Sequence, residues 1–282
     1  MLRACATSFA LLIMGCASQQ PLSSKPGTAQ TSDIVTTRNL VDVLKLLSEP
    51  YPGRTLLVLD VENTLLTSPT FFGSDAWHEW QKTLSPQSPG YVPCRFDVIA
   101  MNHEAGTQVP TQDDAVDAIN AIPLDKIIVS ARSPVYRSGT IRELKRAGYQ
   151  LPASLEPALA GAIYEYRPDP QHPGVTVSYH QGVFMVAGQD KGLALLDLLK
   201  HLQVQYDRVV LVDDSEKHIY GMRDAMTAAG IEYRGVHYTR IDKTIDAQKE
   251  QQGIAGWQAW RELLAANYPR RLTRLSAGEC GY

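Results

Sequence analysis

The sequence lacks several features that would define its class at once. Its most apolar stretch, residues 9–14, is too short to span a bilayer with confidence. It also has no long block of like charge and no visible internal repeat, and its formal net charge is only -3. These absences exclude the strongly basic surface typical of nucleic-acid-binding proteins. The composition, with 44% hydrophobic and 20% charged residues, is typical of a globular protein. The length of 282 residues is ordinary for one α/β domain with an insertion.

Cysteine is also scarce, with four residues in the chain. Neither Cys94 nor Cys280 has a Cys or His neighbour at ligand spacing, so a metal site built on thiolates is not expected. In an oxidising compartment these two cysteines could pair, or they could be unrelated thiols. The sequence does not give their distance, so both alternatives stay open.

The N-terminus has the pattern of an export signal. Arg3 supplies a positive charge, residues 9–14 form a short apolar core, and Gly15-Cys16 follows. This end resembles the lipobox of bacterial lipoproteins, which implies removal of residues 1–15 and diacylation of Cys16. The alternative is an ordinary signal peptide that contains a cysteine. We favour the lipoprotein interpretation, because a polar segment suited to a tether comes next.

That segment, residues 16–32, is rich in Ser, Thr, Gln, Pro and Gly and has no apolar period. It predicts a flexible tether between a membrane and the domain at residues 33–282. We therefore expect an exported protein, lipid-anchored to a bacterial membrane on its periplasmic or cell-surface face.

Apolar strands alternate with amphipathic helices through the rest of the chain. This alternation predicts an α/β fold with a Rossmann-like, mostly parallel sheet and helices on both faces. The strand order is not predicted. Strands are expected at 56–59, 126–129, 209–212 and 233–238, with a hairpin or strand pair at 175–179 and 183–186. Helices are expected at 40–47, 75–84, 113–122, 135–147, 193–202, 219–229 and 254–266.

Residues 68–110 interrupt the alternation and predict a small cap inserted after the first strand of this pattern. Four aromatic residues lie in this segment: Phe71, Phe72, Trp77 and Trp80. They could form the wall of a substrate site, or the small core of the insertion itself. Trp77 and Trp80 share one helix face, which favours a core position for at least one of them.

Polar side chains stand where the predicted strands end or the following helices begin. They are Asp60 with Glu62, Ser130, Lys191, and Asp213 with Asp214. Parallel strands bring such ends to one edge of a sheet. Clustered carboxylates can hold Mg²⁺ through oxygen, while a lysine and a hydroxyl can bind phosphate oxygens. A carboxylate can also attack phosphorus once that charge is neutralised. The cluster therefore predicts phosphoryl transfer.

These segments resemble the four motifs of the haloacid dehalogenase (HAD) superfamily. They are Asp60-Val61-Glu62-Asn63-Thr64, Val129-Ser130, Asp190-Lys191-Gly192 and Val212-Asp213-Asp214-Ser215. Further segments resemble the DUF2608 group of exported HAD-like proteins, namely residues 73–77, 130–134 and 188–192. The lipid anchor is also similar to that of class C bacterial acid phosphatases.

The resemblance implies a role for each residue. Asp60 would be the nucleophile that forms an aspartyl-phosphate. The carboxylates of Asp60 and Asp214 and the backbone carbonyl of Glu62 would bind Mg²⁺, with Asp213 in contact with the ion or next to it. Ser130 and Lys191 would bind the phosphoryl group. Glu62 would act as general acid and base, and Thr64 would brace the loop.

Glu62 departs from the superfamily pattern, where phosphatases usually carry Asp. The extra methylene changes the placement of the carboxylate, and a misplacement of about 1 Å can cost on the order of a hundredfold in rate. We therefore expect slow or specialised turnover. Arg132 could contact phosphate or pair with an acid, and we favour the pair.

The sequence thus predicts a Mg²⁺-dependent HAD-like phosphatase, a phosphoric monoester hydrolase acting on a small phosphorylated substrate. The alternative is a weak or inactive HAD-fold lipoprotein that serves as a binding module. A haloacid-type hydrolase acting on carbon is disfavoured, because the paired acids Asp213 and Asp214 suit a metal. Nucleic acid is not an expected partner, and the oligomeric state is not predicted.

Overall fold

A computed structural model describes residues 33–156, 161–168, 171 and 173–281. The predicted signal peptide at 1–15, the lipidation site Cys16 and the tether at 16–32 all lie outside the described residues and stay predictions. Within the part of the chain that is described, none of the helices has the length and apolar character needed to cross a membrane.

The fold is organised around one eight-stranded sheet, which is parallel across its first six strands and antiparallel across the last two. This confirms the predicted mostly parallel α/β sheet. In spatial order the strands are β1 (Asp33–Thr37), β10 (Glu232–Tyr238), β9 (Arg208–Asp213), β2 (Thr55–Leu59), β5 (Asp125–Ser130), β8 (Val183–Met185), β7 (Val175–His180) and β6 (Gly161–Tyr166).

The central strands β2 and β9 are buried at every position. Successive side chains of a strand point to opposite faces, so Leu56 and Val58 pack into one core cluster while Leu57 and Leu59 pack into another. Helices cover both clusters, as the apolar runs of the sequence predict. They are α1 (Asp42–Leu47), α4 (Val116–Asn120) and α5 (Arg137–Arg146) on one face, and α6 (Lys191–Leu202) and α7 (Glu216–Ala228) on the other.

Several elements differ from the sequence-based expectation. The helix expected at 113–122 is a 3₁₀ turn, Asp113–Ala115, followed by α4, and the helix expected at 135–147 likewise begins with a 3₁₀ turn, Pro134–Tyr136. Strands β1 and β6 were not predicted. Three helices complete the insertion and the C-terminal end: α3 (Arg95–Ala105), α8 (Ala247–Asn267) and α9 (Pro269–Ser276). Of these, only α8 overlaps a predicted helix.

The insertion is closed at its base by a two-stranded ribbon. Strand β3 (Leu66–Thr67) pairs with β4 (Val109–Pro110), so the two ends of the segment meet. Helix α2 (Asp75–Thr83) and helix α3 lie between them, and Ser74 caps α2 by accepting a hydrogen bond from the backbone of Trp77. The division of the chain into a cap at 68–110 and a larger domain stays a prediction.

The four aromatic residues of the insertion form its core. Phe71, Phe72, Trp77 and Trp80 are all buried, and they pack with Trp257 of α8. The Phe72 and Trp77 rings meet edge to face with centroids 5.2 Å apart. Of the two alternatives drawn from the sequence, the core position is therefore the one observed.

The C-terminal end is tied to the start of α3. Cys94 and Cys280 form a disulfide with Cα atoms 5.2 Å apart, which resolves the open question of their pairing. Arg271 of α9 pairs with Asp97, and the backbone N–H of Gly281 donates to the same carboxylate at 3.0 Å. The last described residues are thus fixed against the insertion.

Candidate active site

The carboxyl ends of neighbouring parallel strands place the predicted site residues at one edge of the sheet. Asp60 follows β2 directly, and its backbone N–H donates to Val212 of β9 at 3.0 Å, next to Asp213. Ser130 ends β5, the other neighbour of β2, and Lys191 begins α6. Side chains separated by more than 150 residues in sequence therefore converge because of the sheet register.

Lys191 joins two of the acids. Its Nζ lies 2.5 Å from Oδ1 of Asp60 and 2.7 Å from Oδ2 of Asp213, and all three side chains are buried. The position of Lys191 depends on a close approach of α6 to α7. At Gly192 a Cβ atom would stand 2.7 Å from the Cβ of Ala225, too near for any side chain without a shift of the helices.

Burial and mutual charge perturb these groups strongly. Burial raises the pKa of Asp60 well above its ordinary value; Lys191 opposes this shift, while the carboxylate of Asp213 adds to it. For Asp213, burial acts in the same direction, but Lys191 and His218 together outweigh it and lower the pKa to about 2. Burial would lower the pKa of Lys191, yet its two carboxylate neighbours raise it. One lysine thus does not neutralise the acids around it.

Asp213, the last residue of β9, and Asp214, which follows the strand, contact different partners. Oδ1 of Asp213 accepts from the backbone N–H of Ser215 at 2.9 Å and lies 3.1 Å from Nδ1 of His218. Oδ2 of Asp214 lies 2.5 Å from Nζ of Lys243. Burial raises the pKa of Asp214, and Lys243 only partly reverses that shift.

The three aspartates nevertheless share one space. Asp60, Asp213 and Asp214 each offer a carboxylate oxygen, and these oxygens all lie within 4.8 Å of one another. An all-oxygen, anionic donor set is the kind that a hard divalent cation such as Mg²⁺ prefers. The carboxylates also outnumber the buried lysine beside them, Lys191, and this excess of negative charge is a second reason why the residues fit such an ion.

Glu62 makes a separate set of contacts. Its Oε2 accepts from Oγ of Ser130 at 3.1 Å, and its Oε1 forms a very short contact with Nε of Arg132. Burial would raise the pKa of Glu62, but the Arg132 guanidinium and nearby positive groups outweigh it and lower the pKa. Arg132 also donates to Thr140 at 2.8 Å and to Gln108 at 2.9 Å. Arg132 therefore pairs with an acid, as favoured from the sequence.

The loop between Asp60 and Leu66 is braced from within. Oγ1 of Thr64 donates to Oδ2 of Asp60 at 3.1 Å, the contact expected of a bracing residue. Asn63 adopts a left-handed backbone with φ 53, and its side chain donates to Asp75 of α2 at 3.1 Å. This hydrogen bond connects the loop to the insertion.

Sequence reasoning missed three polar residues of the site, which are Lys243, Asp75 and His218. Lys243 lies in the loop after β10, and its Nζ reaches Asp214 and also Oδ2 of Asp75 at 3.3 Å. His218, in the first turn of α7, borders Asp213. Only their places in the sequence could have indicated Asp75 and Lys243. Asp75 is the first residue of α2, and Lys243 follows β10, whose carboxyl end lies at the same edge of the sheet.

A cavity of about 610 Å³ opens beside this cluster. Glu62 and residues 131–133 border it on the sheet side, while α2 and α3 form the opposite wall. His103 on α3 also lines it; burial and then Arg132 lower the pKa of this imidazole to about 3, so it is neutral near pH 7. The volume is typical of small-molecule sites.

The comparison with protein families bears on this site. A family described as "Protein of unknown function (DUF2608)" matches residues 36–270, which include every predicted site residue except Cys16. The chain belongs to the DUF2608 family. This membership confirms the resemblance to the DUF2608 group drawn from residues 73–77, 130–134 and 188–192. It leaves the reaction open, because the family is described as one of unknown function.

Solved structures similar to this DUF2608 protein include two of the class C acid phosphatase from Bacillus anthracis. The structure with tungstate bound is 15% identical, with 75% of this chain and 84% of that chain covered and a TM-score of 0.36. The other is 14% identical, with the same coverage and TM-score. No curated protein matches the DUF2608 chain. At these values the likeness carries no argument about activity, and function rests on the geometry of the site.

Proposed function

We propose that this DUF2608 protein is a Mg²⁺-dependent phosphohydrolase that cleaves a phosphate monoester through an aspartyl-phosphate on Asp60. The observation that carries the proposal is the convergence of Asp60, Lys191, Asp213 and Asp214 at one sheet edge, with Lys191 within 2.7 Å of two of the acids. A nucleophilic carboxylate beside a lysine and an oxygen-rich cation site suits attack on phosphorus.

Each residue has a definite task in this proposal. Oxygen atoms of Asp60, Asp213 and Asp214, with the backbone carbonyl of Glu62, would hold the ion, which when bound supplies positive charge against the phosphoryl oxygens. Lys191 orients the Asp60 carboxylate and, with Ser130, binds phosphoryl oxygens. Asp60 forms the new O–P bond as the bond to the leaving oxygen breaks.

The leaving oxygen then needs a proton, and water must later attack the aspartyl-phosphate. Glu62 is the nearest candidate for both steps, because it lies two residues from the nucleophile. Its two carboxylate oxygens are held by Ser130 and Arg132, so a proton on Glu62 must form at the expense of a charge-assisted contact. We therefore propose turnover that is slow for leaving groups that depend on protonation.

Hydrolysis of para-nitrophenyl phosphate tests the proposal. We expect activity that needs added Mg²⁺, is lost with a chelator, and falls by at least about a thousandfold in Asp60→Asn. Asp224→Asn, a substitution of an exposed carboxylate on α7, is the matched control and should retain activity. Loss of activity in both variants, or equal activity in wild type and Asp60→Asn, overturns the proposal.

The second candidate is a binding module that keeps the fold and the ion site without turnover. The engagement of Glu62 by Ser130 and Arg132 favours it, because both oxygens of the expected acid and base are occupied. Mg²⁺ binding and phosphate binding without any hydrolysis would decide for this function.

We also propose export and lipid attachment at Cys16. The Cys94–Cys280 disulfide supports an oxidising compartment, where such bonds persist. Mass spectrometry of the protein purified from bacterial membranes should find a diacylated Cys16 at the N-terminus. In Cys16→Ala the protein should move to the soluble exported fraction, and an unmodified Cys16 in the wild type would contradict the proposal.

A further inference from the structure

The cavity beside Glu62 has an apolar lining that is open to solvent. Phe96 of α3 and Val135 are large apolar side chains with 44% and 56% of their surface exposed, and both line the cavity. Ile99 and Tyr136 add further apolar surface. Exposed apolar groups gathered in a concave site mark a place where a ligand removes them from water.

The charged groups of the lining are already paired inside the protein. Arg132 is committed to Glu62, Thr140 and Gln108, and its side chain is only 3% exposed. Asp75 pairs with Lys243, and Glu79 pairs with Lys82 at 2.5 Å. The two histidines of the lining have pKa values lowered mainly by burial, so they add no positive charge near pH 7.

The lining thus contains three carboxylates and one cation, and each of the three nitrogens of that guanidinium already donates to an oxygen of the protein. An anionic group in the organic part of a substrate would lose its hydration and meet a lining in which carboxylates outnumber cations. An uncharged ring or chain would instead cover Phe96, Ile99 and Val135.

From this we infer that the cavity takes the uncharged, largely apolar organic part of a phosphate monoester, and that it rejects monoesters with a second anionic group. The inference rests on the proposed function, since it assigns the remainder of the substrate to the cavity next to the phosphoryl site. It names the substrate class that nothing else here specifies.

A matched pair of substrates tests the inference with the intact chain. Para-carboxyphenyl phosphate and its methyl ester have nearly the same shape and differ by one negative charge. We expect kcat/KM for the methyl ester to be at least tenfold higher. A ratio near one, or a preference for the carboxylate, overturns the inference. Faster cleavage of a cationic aryl phosphate than of the methyl ester also overturns the inference.

Two variants assign the preference to the cavity. Phe96→Ala should raise KM for the methyl ester by at least threefold with little change in kcat. Tyr220→Ala is the matched control, because Tyr220 is equally exposed at 43% but lies on α7 and does not line the cavity. Equal effects of the two substitutions would count against the assignment.

A binding measurement separates this inference from the proposed function. The probes are benzylphosphonate and para-carboxybenzylphosphonate, which the enzyme cannot hydrolyse at phosphorus, titrated calorimetrically into the intact chain. Tighter binding of the uncharged probe supports the cavity assignment even where no substrate is hydrolysed. Equal binding of the two probes overturns the assignment even where para-nitrophenyl phosphate is cleaved.

Discussion

Nζ of Lys243 lies 2.5 Å from Oδ2 of Asp214. Lys243 thereby places a positive charge on one of the three carboxylates that fit a divalent ion. The side chain is 39% exposed, so its ammonium can leave for water at modest cost. An internal cation at this place should compete with a metal for the same negative charge.

We therefore predict that Lys243→Gln raises the affinity for Mg²⁺ by about threefold to tenfold, the equivalent of a partly exposed ion pair. Isothermal titration calorimetry measures this directly, without reference to turnover. Lys249→Gln is the control, because Lys249 pairs with Asp242 and touches none of the three aspartates. Unchanged or weaker Mg²⁺ binding in Lys243→Gln would show that the ammonium does not compete.

The substitution Glu62→Asp should destabilise the fold as well as alter activity. The side chain becomes one methylene shorter and no longer spans to both Ser130 and Arg132, which leaves a buried guanidinium without its carboxylate. Since Glu62 is 29% exposed, water relieves part of the penalty, and we expect a loss of about 1–3 kcal/mol in the free energy of unfolding. Urea denaturation of both proteins measures it.

A matched control uses the exposed pair of Glu79 with Lys82. Glu79→Asp should change the free energy of unfolding by no more than about 0.5 kcal/mol, because exposed pairs contribute little. Similar losses in the two variants would mean that the contact with Arg132 is not special. A faster enzyme after Glu62→Asp would instead show that Glu62 limits turnover.

The Cys94–Cys280 disulfide should contribute substantially to stability. It joins positions 186 residues apart, and closing so long a loop restricts the unfolded chain strongly. The double variant Cys94→Ser, Cys280→Ser is expected to lose about 2–5 kcal/mol. Thermal unfolding with and without dithiothreitol measures the effect, and the reductant should destabilise the wild type while leaving the double variant unchanged.

His103 predicts an acid-sensitive stability. Burial and Arg132 lower its folded-state pKa to about 3, against 6.5 for an ordinary histidine, so the unfolded chain binds the proton first. The stabilisation is complete above about pH 6.5 and is lost as the pH falls toward 3. In this range the free energy of unfolding falls by about 1.4 kcal/mol per pH unit, so roughly 2 kcal/mol is lost between pH 6.5 and 5.

His103→Gln should remove that part of the pH dependence. Its free energy of unfolding, measured by urea denaturation from pH 7 to pH 5, should fall less steeply than that of the wild type. His201→Gln, at an exposed position near the end of α6, should follow the wild-type slope. Parallel slopes for wild type and His103→Gln would mean that His103 is protonated without cost.

The sequence predicted the sheet and the ends of its strands because buried parallel strands carry a continuous apolar signal. The run before Asp60 and the run before Asp213 are of this kind, and both strands lie where the motif residues require. Local chemistry offered Ser74 or Asp75 as the cap of α2, since both side chains can accept a hydrogen bond, and the structure has Ser74 in that role.

Helix α3 escaped prediction because it has no clean apolar face. It buries Asp97 and His103 as well as Val98 and Ala100, so the usual periodicity is absent. Strand β1 is a short edge strand with a partly exposed sequence, and its pairing with β10 is a contact across about 200 residues. The pattern of apolar residues along a short segment does not indicate such non-local contacts.

The sequence predicted most of the residues that meet at the site, but neither Lys243 nor the contacts between the side chains. The four motifs identified Asp60, Ser130, Lys191 and the acid pair, because each of these residues stands where an apolar strand ends or a helix begins. The contact between Glu62 and Arg132 depends on side-chain reach across the space between two strand ends. Lys243 depends on the path of a loop. Neither is encoded in spacing along the chain.

The narrow ribbon of β3 and β4 closes the base of the insertion with four paired residues. The insertion also shares its aromatic core with α8, where Trp257 and Trp260 meet Phe72 and its neighbours. Grafting a foreign cap onto this scaffold would therefore succeed only if the C-terminal helices were transplanted with it.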